Sequence, residues 1–177
     1  MKILQRNIFF LVLVLSYGFA TTAFAANTSV SFGAARGESS STAYTLSVNQ
    51  IYAPWFGNSV VEIAPTTELA GHYWKKGSDD VWGGSIAPGL RMTLFSDGAF
   101  NPYVGASVGG AFLSEREIGS RDLGSHALFK TKGVVGVEFG ESNRHRVQGE
   151  YTHYSNWGIA NTNDGYGTIG GSYSFSF

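Results

Sequence analysis

The chain has 177 residues, with 12 Lys and Arg against 13 Asp and Glu, a formal net charge of −1 and no cysteine. Disulfide frameworks and cysteine-ligated metal centres are therefore excluded, and without a basic run nothing points to nucleic acid. Glycine is abundant (24 residues) and aromatics reach 15%, while charged residues make up only 14%, a balance that suits a glycine-rich β structure with aromatic girdles.

The first residues set the compartment. Lys2 and Arg6 form a basic n-region, Ile8 to Phe19 an apolar h-region, and Ala23-Phe24-Ala25 a small-residue cleavage site. This pattern is that of a secretory signal peptide spanning residues 1–25. Its apolar run is too short for a membrane-spanning helix. Cleavage leaves residues 26–177 as a single domain and, by removing Lys2 and Arg6, takes the net charge from −1 to −3.

No later segment has about 18 consecutive apolar residues, so a helical membrane protein is excluded. What recurs instead is two-fold alternation in segments of about ten residues separated by turns. The first predicted strand is Ser29 to Gly37, with Val30, Phe32 and Ala34 on one face. Ala43 to Ile51 follows, with Tyr44, Leu46 and Val48, then Val60 to Trp74, whose polar face holds Glu62, Thr66 and Glu68. Gly84 to Phe95 puts Ile86, Leu90, Met92 and Leu94 opposite Arg91. Tyr103 to Ser114 carries Val104, Ala106, Val108 and Phe112; Ala127 to Gly140 sets Phe129, Val135, Val137 and Phe139 against Lys130, Lys132 and Glu138. Arg146 to Asn156 is the seventh. The eighth, Gly167 to Phe177, sets Ile169, Tyr173, Phe175 and Phe177 against three serines.

Eight such strands predict an all-β fold, an eight-stranded antiparallel transmembrane β-barrel of the outer membrane. Glu62, Glu68, Arg91, Lys130, Lys132, Glu138 and Glu150 face inward and carry both signs, as a polar interior requires. A soluble lipocalin-like barrel is the alternative, but it would place the apolar face inside. With both termini on the periplasmic side, Asp97-Gly98 and Glu141-Ser142-Asn143 are short periplasmic turns. Glu38 to Thr42, Lys75 to Gly83, Glu115 to His126 and Trp157 to Tyr166 are extracellular loops. Tyr52 to Ser59 is long for a periplasmic turn.

The stretch that carries chemistry is Tyr151-Thr152-His153-Tyr154-Ser155-Asn156. Alternation puts Tyr151, His153 and Ser155 on the outward, membrane-facing side, and Glu150, Thr152 and Tyr154 inside. A base and a hydroxyl thus lie side by side at the extracellular end of a strand, at the level of the outer leaflet, where lipopolysaccharide is the candidate substrate.

His153-Tyr154-Ser155-Asn156, then Gly158 and Asn163-Asp164-Gly165 before a last aromatic strand, resembles the lipid A 3-O-deacylases of the outer membrane (PagL-like). The likeness is densest over about the last 30 residues and extends to the eight-strand pattern and the Tyr73-Trp74 strand end. The resemblance implies an esterase that hydrolyses the 3-position acyl ester of lipid A, with Ser155 as nucleophile, His153 as base and Asn163 in the oxyanion hole, seconded by Asn156 as a substrate-side contact. It implies no cofactor or metal. Its partners are lipid A in the outer leaflet and the surrounding membrane, and a homodimer remains open. The family's acid falls fourteen residues after the histidine, where this chain has Gly167. Asp164, in the adjoining loop, is the candidate substitute.

Other residues have blander readings. Tyr73, Trp74, Trp82 and Trp157 are expected to be interfacial anchors. His72, His126 and His145 are too scattered for a metal site. Lys75, Lys76, Arg116 and Arg121 are solvated loop charges or contacts for lipid phosphates. The competing function class is a small structural or adhesion barrel with a decayed site. It would leave the mass of lipid A unchanged, where an esterase removes one acyl group.

Overall fold

Alternating polar and apolar residues can satisfy every backbone hydrogen bond in a lipid phase only if the strands close on themselves. A computed structural model of the chain describes residues 25–77 and 79–177, and in it the strands do close. They are β1 (Ala25–Gly37), β2 (Thr42–Tyr52), β3 (Val61–Lys76), β4 (Asp79–Leu94), β5 (Phe100–Leu113), β6 (Ala127–Phe139), β7 (His145–Ser155) and β8 (Tyr166–Ser176). Each pairs antiparallel with its sequence neighbours, and β1 pairs with β8 from Ser29↔Ser176 to Gly37↔Thr168. The result is an eight-stranded antiparallel barrel of the transmembrane type, as the alternation predicts. The predicted signal peptide falls on residues outside those described, apart from Ala25, where β1 begins.

The outer wall is apolar: Phe32, Ile86, Leu90, Val104, Val108, Phe112, Val135 and Ile169 are all exposed. In water so wide an apolar band would be a liability; against acyl chains it is the required surface. The interior is charged and paired. Glu68 accepts from Lys130 at 2.5 Å and from Lys132 at 2.8 Å, and Lys132 also reaches Glu150 at 2.9 Å. Glu138 holds Arg91 at 2.6 Å and Arg146 at 3.5 Å. Side chains fill the lumen, leaving a polar cavity of about 90 Å³, room for a few water molecules and not for a pore.

Glu68 is the hinge of this network, because two ammonium groups depend on it. Glu68→Ala would leave Lys130 without a carboxylate in a low-dielectric interior and Lys132 with Glu150 alone. The expected cost is about 3–5 kcal/mol, the usual penalty for breaking a buried pair from one side. It would be read as a lower temperature at which the folded band on a gel converts to the unfolded one.

Two expectations need correction, and the long Tyr52 to Ser59 connection finds its explanation. The segment Lys75 to Gly83 is not an extracellular loop: β3 and β4 run on to Lys76↔Asp79, joined by a turn beginning at Gly77 (φ +61°). Opposite charges facing across the strands, with Lys75 3.8 Å from Asp80, favour that extension. The connection from Tyr52 to Ser59, long for a turn, is partly strand. After a break at Pro54, Phe56–Gly57 rejoins the sheet beside Ile63 and Glu62. Asn58 Oδ1 then closes a tight turn by accepting from the N–H groups of Val60 and Val61 at 2.9 Å each. Trp74, finally, is not an interfacial anchor. It is 1% exposed on the inner face, edge-on to Tyr154 with ring centroids 5.5 Å apart. Tyr73 and Trp82 do face outward, with ring centroids 4.3 Å apart.

Trp74 belongs to an apolar plug at the long-loop end of the barrel. The β5–β6 connection folds into a small ribbon, Glu117–Ile118 against Arg121–Asp122. It inserts Ile118 and Leu123 among Trp74, Leu113, Leu128, Tyr154 and Tyr166. A hydrogen bond between Ser41 and the Tyr166 hydroxyl ties the β1–β2 loop to the same plug. The end of the barrel where β7 finishes is therefore apolar and closely packed inside, a base for groups on its outer face.

Candidate active site

His153 and Ser155 sit at the last outward positions of β7, with Thr152 and Tyr154 buried inward between them. His153 is paired with Gly167 on β8 and Thr131 on β6, and Ser155 with Phe129 on β6. Among the described residues neither side chain makes a hydrogen bond, and both stand on the outer face. The imidazole leans toward β8: a Cβ placed on Gly165 would lie 2.9 Å from Cε1 and 3.3 Å from Nε2 of His153. Gly165 therefore has two reasons to lack a side chain. Its φ is +67°, and the histidine occupies the space where a Cβ would go.

The loop from Trp157 to Gly165 is built on Asn156, which is 1% exposed. Its amide donates to the carbonyls of Leu123 at 2.8 Å and Thr162 at 2.6 Å, while its Oδ1 accepts from Gly158 N–H at 2.8 Å. All of its polar atoms are thus engaged inside the loop. These bonds give the Asn156 side chain a structural role at the root of the loop. The Asn-x-Gly pattern of an Asx-turn was the signal for it. The backbone N–H of Asn156 donates in turn to Asn163 Oδ1 at 3.0 Å. That bond fixes the Asn163 amide by its oxygen and leaves its NH2 as an exposed donor beside the end of β7.

Asp164 is held elsewhere. Its Oδ2 accepts from Asp122 N–H at 2.9 Å, its own N–H donates to Asp122 O at 3.1 Å, and its carbonyl accepts from Arg121 at 3.3 Å. The carboxylate is thus part of the seam between two loops. Glu150 faces inward to Lys132.

Outside the barrel, a shallow groove of about 630 Å³ runs over Gly89, Leu90, Ala106, Val108 and Gly133 and ends at Tyr151. Small residues on three strands leave this depression in an otherwise bulky apolar wall. Trp157 and Ile159 are fully out of the barrel at its rim, Trp157 edge-on to Phe129 at 5.2 Å.

Residues 41–176 match the family described as lipid A 3-O-deacylase (PagL). The chain belongs to this family. Lipid A deacylase PagL of Pseudomonas aeruginosa is 28% identical over 113 residues, covering 63% of this chain and 64% of that protein, just under two thirds of its length. The crystal structure of the outer membrane enzyme PagL superposes with a TM-score of 0.77 at 24% identity, over 83% of this chain and 98% of that one. The N-terminal β-barrel domain of Pseudomonas aeruginosa OprF is a more distant relative in shape, with a TM-score of 0.53 at 13% identity over 87% of this chain and 99% of that one. The PagL match takes in β2 to β8 and the whole segment from His153 to Gly165; β1 and Glu38 precede it.

Proposed function

We propose that the protein is an outer-membrane esterase that hydrolyses the ester-linked acyl chain at the 3 position of lipid A. One observation carries the reading: a histidine and a serine share the lipid-facing side of β7 at the end of the barrel opposite both termini, with the Asn163 amide fixed beside them. Membership of the deacylase family supports the same substrate and the same membrane.

In the proposed reaction Ser155 Oγ attacks the ester carbonyl carbon and its proton passes to His153. The tetrahedral oxyanion accepts hydrogen bonds from the Asn163 amide. Collapse breaks the ester C–O bond. The sugar hydroxyl leaves with the proton from His153, and the acyl group stays on Ser155. Water, deprotonated by His153, then attacks this acyl-enzyme, releasing the fatty acid and restoring Ser155. The groove below Tyr151 has the chemistry to hold an acyl chain: it is apolar, open to the membrane and one residue row from His153. All of these groups come from one chain, so the reaction needs no second copy.

Mass spectrometry of lipid A from an outer membrane with and without the protein tests the proposal. The expected change is loss of one 3-position acyl group. Unchanged lipid A would favour a structural or adhesion barrel, and a gain of mass would point to acyl transfer.

A further inference from the structure

His153 is a base whose side chain has no hydrogen-bond partner among the described residues, and its cross-strand neighbour, Gly167, has no side chain. The space above Gly167 is nevertheless occupied. A Cβ built there would lie 3.1 Å from Oε1 of Glu38 and 2.9 Å from the hydroxyl of Tyr151. Glu38 follows β1, whose last pair with β8 is Gly37↔Thr168. Glu38, the first residue of the turn after β1, comes next beside Gly167, so Gly167 lies between Glu38 on one side and its strand partner His153 on the other. Glu38 also continues the outward alternation of Phe32, Ala34 and Arg36, all exposed. It therefore shares the face of His153.

We infer that Glu38 is the positioning carboxylate of His153, reaching it across the side-chain-free Gly167. The inference rests on the esterase reading of the site. Its Oε2 is fixed by Arg121 at 3.1 Å, which leaves Oε1 on the side of β8. Oε1 has already crossed the first strand gap. The side chain of β7 nearest the same point is Tyr151, while the imidazole lies beside Gly165, just before β8, so Oε1 has still to cross about one cross-strand spacing, roughly 5 Å between Cβ positions. The nearby carboxylates of Asp164 and Glu150 are committed to Asp122 and Lys132. A carboxylate in that place orients the imidazole and stabilises its cation without taking its proton. A side chain at position 167 would displace both Oε1 of Glu38 and the Tyr151 hydroxyl, so the glycine makes the room that the glutamate uses.

The test compares kcat and KM for lipid A deacylation by the purified, folded barrel in detergent, with wild type and Ser155→Ala run alongside. Glu38→Gln keeps the shape and removes the charge. It is expected to lower kcat by about 10²-fold, less than the roughly 10⁴-fold seen when a protease triad acid is neutralised, with KM little changed. Glu38→Asp should recover part of the loss. Glu38→Ala combined with Gly167→Glu should restore activity above Glu38→Ala alone, because the carboxylate returns from the adjacent strand. Arg121→Gln breaks the ion pair but leaves the carboxylate, and should cost less than Glu38→Gln. An unchanged kcat in Glu38→Gln, beside an active wild type and a dead Ser155→Ala, overturns this inference and leaves the esterase reading standing. Equal losses in Glu38→Gln and Arg121→Gln, with no rescue by Gly167→Glu, also overturn it, because Glu38 then only braces the loops. A wild type that does not deacylate lipid A overturns both.

Discussion

Ser155→Ala is expected to bring lipid A deacylation down to the background of the assay, in a barrel that still assembles. The substitution removes the one attacking atom of the proposed site. It costs the fold little, because the Ser155 hydroxyl makes no hydrogen bond among the described residues and lies on the outer face, beside Phe129 of β6. His153→Asn should have an effect of the same order, since the alkoxide character of the serine depends on the base. Where nucleophile and base act as a unit, loss of either costs about as much as loss of both, on the order of 10⁶-fold in kcat in a serine protease. The double variant should therefore be no worse than the singles. Folding is checked independently by the gel shift between unboiled and boiled samples and by a strand-dominated circular dichroism spectrum. Full deacylation by either folded variant would falsify the assignment of this pair.

The second large effect belongs to Asn163, and the hydrogen bonds choose the substitution. Asn163 Oδ1 is the acceptor for the backbone N–H of Asn156, so alanine would loosen the loop as well as remove the donor. Asn163→Asp keeps the acceptor and replaces the NH2 by an oxygen. The expected result is a loss of about 10²–10³-fold in kcat, the cost of removing one oxyanion donor, with the loop still closed. The introduced charge opposes the developing oxyanion and pushes the loss to the upper end. KM should move little, because the donor acts on an atom that carries its full charge only in the transition state. A variant with normal kcat would remove Asn163 from the oxyanion hole and return it to the turn.

The two outcomes together separate chemistry from scaffolding. If both variants fold and both are inactive, the outer face of β7 and the Asn163 amide act on one substrate. If only Ser155→Ala is inactive, the oxyanion is held by other donors, and the backbone N–H groups at the end of β7 become the next to test.

Alternation alone determined most of this molecule. Period two over eight segments specifies strands, and charge on one face with apolar bulk on the other specifies which face meets lipid. From that followed the closed barrel, the inward Glu68, Arg91, Lys130, Lys132, Glu138 and Glu150, and the outward His153 and Ser155. Those are local facts, carried by neighbours along one strand. What the sequence could not decide were relations between distant residues. Trp74 alternates in phase with His72 and is inward by that rule, yet its type suggests a membrane anchor. Only the plug brought in by Ile118 and Leu123, from the β5–β6 connection, makes a dry place for it inside. Lys75 to Gly83 has loop-like composition, and pairing across β3 and β4 turns it into strand. The Asn163 amide is fixed by a backbone group seven residues away, through a loop whose shape depends on Asn156. Position 167 reads as a missing acid along the chain. The barrel closes β1 onto β8 and brings Glu38 to that gap from 129 residues away in the numbering. Strand closure is a long-range contact, and no local pattern in the sequence encodes which loop residue it will deliver.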